Sequence, residues 1–490
     1  MKLKSTRAKQ KWYKSRWLLP LLFLMGYLTT YSKLEGFEVE YLVLTYFSIL
    51  ACCLLLTRLG PPLHKKLPIW IILIVFIVAY YLKFYLLVSN PEILGEGWLQ
   101  RKLYLLLQSP PVLFETFETI SYAFIVFCIT AWFLLSSARS LRMKILKKEI
   151  NYRSVIPILI WLIPILMGIT TYVMYITGIC RMAADTPYLP FHLAGWIFYI
   201  RTMLIPALLL LLIWCSDKAG LRKFFTFGII LLFLHSISDM LLRSSRGFIV
   251  ISFTLLVLLF VVAGRVTKKR VQLFGVILLI SILLWPVISY YRYVRAADYS
   301  VSLVHALVES TKNVSSTGSF SLSKMFKEGA TALIFRFVGA DSLIHIMGAN
   351  LPPLYTHAIG ISVSRFFALD VIGVPYGPVI TGCSPSFPGY FYLVGGNALV
   401  IIAMASFVFL SWFFWCLLAK LKLRCLPVAQ ALFLWWIFSS FTSGVLDRLY
   451  LKILVMGGSI ATCEWLLRTF TKRYPHTNSI TFYSRHKEQI

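Results

Sequence analysis

Charge is what this sequence has least of. Asp, Glu, Lys and Arg make up 14% of its 490 residues, and the acidic residues number only 19. A soluble chain of this size needs far more polar surface, so a soluble globular class is excluded. The motifs of soluble-enzyme chemistry are missing as well. Nine cysteines show no CxxC and no metal-ligand spacing, and there is no GxGxxG, Walker loop, HExxH or DxD. These absences argue against a bound metal, an ATP-driven pump and a metal-held nucleotide-sugar donor, and no cofactor is expected. Most cysteines read as small buried apolar residues; Cys180 and Cys383 are the one pair placed to bridge on the same side.

What the chain has instead is apolar length. Hydrophobic residues reach 59% and the mean hydropathy is +0.78. Runs of the roughly 20 residues that cross about 30 Å of hydrocarbon recur from end to end. The expected fold class is therefore all-α, a polytopic transmembrane bundle forming one integral membrane domain over 1–490. Twelve spans are predicted, at 17–32, 39–57, 67–89, 114–136, 154–178, 196–215, 224–242, 247–264, 271–290, 397–419, 426–442 and 450–467. The basic segment Met1 to Arg16 followed by an apolar run has the layout of a signal peptide. No clean small-residue cleavage site follows in "LLFLMGYLTTYSKLEGF", so a retained first helix is expected.

The formal charge of +29 would suit a nucleic-acid binder, but its placement does not. With the N-terminus in the cytoplasm, the inner segments hold 31 Lys and Arg, the short outer loops 7 and one long outer loop another 7. That is the positive-inside pattern, so a multi-pass membrane protein with both termini in the cytoplasm is expected, and no nucleic acid. The long outer loop, 291–388, is too long to be a bare connection and carries apolar stretches, "ATALIFRFVGADSLIHIMG" and "LYTHAIGISVSRFFALDVIG". These predict amphipathic or partly buried helices on the outer face. Its Gly- and Pro-rich close, "GVPYGPVITGCSPSFPGYFYLVGGN", predicts a loop rather than ordinary helix.

An arginine on the outer side runs against the orientation signal and asks for a specific reason. Arg243 and Arg246 in "LLRSSRGFIV" are three apart, and Gly247 permits a tight turn at a helix start whose amides favour an anion. Arg292 and Arg295 in "SYYRYVRAADYS" repeat the spacing beyond the ninth span. Guanidinium binds phosphate through two parallel hydrogen bonds, so the pairs read as a diphosphate clamp, with Arg336 and Arg201 as further candidates. Anchoring to anionic headgroups is the competing reading of any single arginine. For acid–base work the loop offers Asp298, Asp341 and His345. Asp341 and His345 share a helix face at i, i+4, and either is a candidate base for deprotonating a sugar hydroxyl. Asp341 is equally read as a partner of Arg336 or a helix cap. Lys83, His235 and Asp239 are ionisable groups inside apolar runs, and Asp239 is four residues from Arg243, close enough to neutralise it.

"LLRSSRGFIVISFTLLVLLF", "FRFVGADSL" and the loop end "PSFPGYFYLVGGNALV" together resemble the bacterial oligosaccharide repeat-unit polymerases, the O-antigen polymerase (Wzy-type) group, over about residues 225–450. The resemblance implies a metal-independent membrane glycosyltransferase of the C type. It would work on polyprenyl-diphosphate-linked oligosaccharides in the synthesis of O-antigen, capsule or exopolysaccharide. The growing glycan would pass from its lipid carrier, undecaprenyl diphosphate in bacteria, to a sugar hydroxyl of an incoming lipid-linked repeat unit. The family's Ser/Gly-Arg-Gly turn falls on Ser245, Arg246 and Gly247, and its arginine near the start of the large loop on Arg292 or Arg295. Implied partners are the lipid-linked glycans, membrane lipids, a flippase and a chain-length regulator. Two alternatives stay open: the related O-antigen ligase, which moves the finished glycan to lipid A core and would lean on His305 or His345, and a flippase-type transporter. The absence of an internal repeat weighs against the transporter.

Overall fold

The computed structural model describes residues 17–60, 63–94, 98–137, 151–179, 193–243, 247–297, 303–316, 338–351, 363–373, 384–443 and 449–472. Among these residues every regular element is helical. The order is α1 (Leu18–Thr30), α2 (Glu38–Arg58), α3 (Leu67–Ser89), α4 (Trp98–Leu106), α5 (Pro110–Ser137), α6 (Ile156–Thr177), α7 (Leu193–Lys218) and α8 (Arg222–Arg243). Then come α9 (Gly247–Val262), α10 (Lys268–Ala297), α11 (Leu303–Ser316), α12 (Ala340–Ala349), α13 (363–372), α14 (Phe387–Lys420), α15 (Leu426–Ser443) and α16 (Leu449–Lys472). Each of the twelve apolar segments marked in the sequence lies on one of these helices.

Among the described residues, eight helices are long and apolar enough to cross a membrane: α2, α3, α5, α6 with the turn before it, α7, α8, α14 and most of α16. A helix is what such a segment must be, because hydrocarbon offers no partner to an unpaired backbone amide or carbonyl. The surface agrees with that setting. Trp161, Ile165, Ile169, Tyr172 and Ile176 of α6 are all exposed and follow the three-to-four spacing of one helix face, a lipid-facing stripe rather than a core-facing one. The chain is thus a helical multi-pass membrane protein.

Aromatic rings fill the interior where α1, α3, α5, α14 and α15 meet. Phe23, Tyr81 and Phe124 pack edge to face or tilted, and Phe76, Phe387, Phe407 and Phe441 continue the cluster. The close approach of α1 to α3 needs Gly26, since a Cβ there would stand 2.1 Å from the Tyr85 ring. Basic residues collect at one end of the bundle. There Asp217 pairs with Arg265 and, at 2.5 Å, with Arg270, while Glu464 pairs with Arg468 at 2.7 Å and accepts the Arg424 amide.

One expectation is corrected. The stretch "PSFPGYFYLV" is helical from Phe387, not loop, and only its upstream part, 374–383, lies outside the described residues. Ser386 caps the helix by accepting the Gly389 amide, and Pro388 sits in the first turn, where its missing N–H costs nothing. The break comes later, at Gly395 and Gly396. Gly396 has φ 66° and ψ −163°, a backbone region open only to glycine, and the straight apolar run resumes at Asn397. The Gly-Gly pair therefore divides a short buried helix from a long one.

Candidate active site

The short helix α12 brings the two described acid–base candidates to the bundle. Its first turn carries Asp341, whose Oδ1 accepts the Gly339 amide at 3.0 Å, an N-terminal cap of its own helix. Its Oδ2 meets Lys83 Nζ at 2.8 Å. Lys83 is almost fully buried in α3, while the Asp341 side chain keeps 20% of its surface exposed. The approach depends on Gly339, because a Cβ there would lie 2.0 Å from the Ala79 carbonyl oxygen, backbone that no rotamer change can clear. Ala79 belongs to Phe76–Leu82, a π-helical stretch that ends directly before Lys83. A π-bulge re-aims the residues after it and leaves a carbonyl less tightly paired, and such bulges often mark functional positions.

His345 follows Asp341 by one turn and is buried. Burial pushes its pKa down to about 4, with Lys102 pushing the same way and Asp341 opposing, so the ring is neutral at pH 7. Its Nδ1 has no hydrogen-bond partner among the described residues. Lys102 of α4 donates to the carbonyls of Val371 (2.7 Å) and Ile372 (3.2 Å), tying the end of α13 beside α12. Ser342 donates to the Ser384 carbonyl at 3.1 Å just before α14. Thus α3, α4, α13 and α14 all hold the helix that carries Asp341 and His345.

Helix α15 packs against both α3, which carries Lys83, and α9, which begins at Gly247. Arg243 ends α8, Gly247 begins α9, and Arg292 and Arg295 are in the last two turns of α10. Tyr291, almost fully buried, donates its hydroxyl to the Leu241 carbonyl at 2.8 Å. That bond fixes the residue before Arg292 to the residue two before Arg243, so the ends of α8 and α10 stand side by side. Val294, Ala306 and Leu241 pack around the same ring and bring α11 to this corner. The side chains of Arg243, Arg292 and Arg295 are not among those described, and Ser245, Arg246, Asp298, Arg336, Cys180 and Cys383 lie outside the described residues.

Arg201 has a different setting. It lies in a second π-helical stretch, Ile200–Leu204, and is fully buried. Its Nε donates to Asp239 Oδ1 at 2.5 Å and Nη2 pairs with the same oxygen. Nη1 donates to Thr170 (3.1 Å) and Thr171 (2.7 Å), and Nη2 to Ser238 (2.7 Å). Four of the five N–H donors of the guanidinium are thus hydrogen-bonded, all to groups of α6 and α8. His235 Nε2 is 2.9 Å from the Arg201 carbonyl, at the loosened backbone of the bulge. Asp239 therefore neutralises Arg201 across helices.

Sequence reasoning offered Arg243 as the partner of Asp239 and Arg336 as that of Asp341, and missed the Arg201–Asp239 and Lys83–Asp341 pairs. It missed the partner hydroxyls Thr170, Thr171 and Ser238 altogether, because threonine and serine in an apolar run most often bond their own helix. No protein-family model, no curated protein and no solved structure matches this chain.

Proposed function

We propose that this chain is a twelve-span membrane glycosyltransferase that polymerises polyprenyl-diphosphate-linked oligosaccharide repeat units at the outer face of a bacterial cytoplasmic membrane. The observation that carries the reading is the Tyr291–Leu241 bond, which sets the helix ends bearing Arg243 and Arg292 next to each other. Two arginine-bearing ends at one corner suit a diphosphate, which needs several fixed cations to hold and to stabilise as it departs. The basic cluster around Asp217 and Arg424 at one end of the bundle supports the orientation, since cytoplasmic loops gather Lys and Arg.

In the reaction, the hydroxyl oxygen of the acceptor sugar forms a bond to the anomeric carbon of the donor glycan. The bond from that carbon to the diphosphate oxygen breaks, and the lipid diphosphate leaves with its electron pair. The hydroxyl proton passes to a base. Asp341 is the accessible candidate and pairs with Lys83; His345 stands one turn behind it as a neutral acceptor. Arg201, paired with Asp239 and buried, supports the clamp only through the position it gives α8.

The deciding assay is conversion of purified lipid-linked repeat units into a ladder by the reconstituted protein. Replacing Arg243 and Arg246, or Arg292 and Arg295, with Ala is expected to lower turnover at least a hundredfold. A second reading, a transporter of such lipids, draws on the buried Arg201–Asp239 pair inside two apolar helices. Movement of the lipid without bond formation would select it, and a single transfer to lipid A core would select the ligase.

A further inference from the structure

A groove of about 620 Å³ opens between α6 and α8, lined by Met167, Thr171, Tyr172, Leu234, Ser238 and Leu241 among others. Its volume falls in the range of about 300–1,000 Å³ typical of small-molecule sites. Tyr172 on its rim belongs to the exposed apolar stripe of α6, so the groove opens toward lipid. Beside the tyrosines Tyr172 and Tyr175, Thr171 and Ser238 bring hydroxyls to its wall, and these last two are partners of the buried Arg201.

The two differ in what they have left to offer. Ser238 accepts from Arg201 and donates its own proton to the His235 carbonyl at 2.8 Å. Thr170, the neighbour outside the groove, likewise donates to the Leu166 carbonyl at 2.7 Å. Thr171 accepts from Arg201 at 2.7 Å, and its proton meets no acceptor among the described residues. A hydroxyl that accepts from a cation is a stronger donor. Of the two hydroxyls polarised by Arg201, Thr171 is thus the one whose proton is left for a ligand in the groove.

Its depth identifies the acceptor. Thr171 lies six residues from the end of α6 and Ser238 five from Arg243, or roughly 7–9 Å along the axes at 1.5 Å per residue. The polar headgroup layer is roughly 5–8 Å deep on each side of the hydrocarbon. A lipid phosphate at the helix ends, where α8 finishes in a cation, would place its glycerol ester carbonyl at the level of Thr171. An isoprenoid carrier has only hydrocarbon there. We propose that this groove is a seat for one acyl chain of a diacyl phospholipid, with the ester carbonyl accepting the Thr171 hydroxyl. The site is independent of the glycosyltransferase reading. It would tie lipid binding to the Arg201–Asp239 network and so to the helix that ends at Arg243.

The test compares lipids that differ only in the acceptor. The full chain in nanodiscs is exposed to phosphatidylglycerol with ester-linked chains and to its ether-linked analogue, and lipid retained after mild delipidation is counted by native mass spectrometry. The ester lipid should be retained about tenfold better, the worth of one charge-assisted hydrogen bond. Thr171→Val should erase the preference, and Thr171→Ser should keep it. Equal retention of the two lipids by the wild-type chain overturns the proposal, whatever the variants do. Displacement of both by polyprenyl phosphate at equal concentration also overturns it and assigns the groove to an isoprenoid chain.

Discussion

Asp239→Asn is the sharpest test of how this bundle is held. In the native chain one carboxylate oxygen receives Nε and Nη2 of Arg201, and both partners are sealed from solvent. The asparagine keeps the shape and removes the charge, leaving a buried guanidinium without its counter-ion. Breaking a buried pair in this way costs about 3–5 kcal/mol, more than the pair itself contributes, because the surviving charge keeps its desolvation penalty. Removing both charges should undo most of that loss. In Arg201→Met with Asp239→Leu, Thr170 and Ser238 still donate to their own helix carbonyls at Leu166 and His235, and of the three partner hydroxyls only Thr171, which lines the groove, loses its hydrogen bond. The double variant should come within about 1.5 kcal/mol of wild type, leaving a coupling of several kcal/mol between the two positions. Reversible denaturation in mixed micelles reads these differences. A cost below about 1 kcal/mol for Asp239→Asn, or a double variant whose loss equals the sum of the singles, would refute the assignment.

Other outcomes follow from the α12 region. His345 is held below its unfolded pKa, so its burial stabilises fully above pH 6.5 and is lost as pH falls from 6.5 toward about 4. The full loss is on the order of 3 kcal/mol, and His345→Gln should flatten that limb of a stability–pH curve. Gly339→Ala drives a methyl into the Ala79 carbonyl, which should cost about 1–3 kcal/mol and speed amide exchange in α12 while α6 stays protected. Gly396→Ala places a side chain at φ 66° and ψ −163°, and a loss of about 1–3 kcal/mol in the same denaturation assay is expected. Asp341→Asn should abolish glycan polymerisation more completely than Lys83→Met. The first removes the proposed base and leaves Lys83 without its carboxylate, whereas the second leaves a carboxylate that still reaches solvent.

The helices were legible because lipid leaves a chain few choices. Apolar runs such as 39–57 and 426–442 coincide with α2 and α15 to within a residue or so, and no tertiary contact is needed to predict that they coil. The i, i+4 pairing of Asp341 with His345 was legible for the same local reason. What could not be read was anything that depends on which helix stands beside which. Asp239 faces Arg201 in the sequence no more than it faces Arg243, and only the packing of α7 against α8 decides between them. Asp341 and Lys83 come from opposite halves of the chain. The π-helical stretches at Phe76–Leu82 and Ile200–Leu204 were equally hidden, since one extra residue in a turn leaves no mark on an apolar pattern. Yet Lys83 follows the first stretch and Arg201 lies inside the second, so the signal was present in another form. A buried ion in an apolar run must find an opposite charge or be excluded. With so few ions inside the spans, Lys83, Arg201 and Asp239 are marked by sequence as ions that need partners, and the packing decides which partner each takes. For a chain this apolar, the hydrophobic residues specify that helices form, and the scarce charges specify how the helices meet.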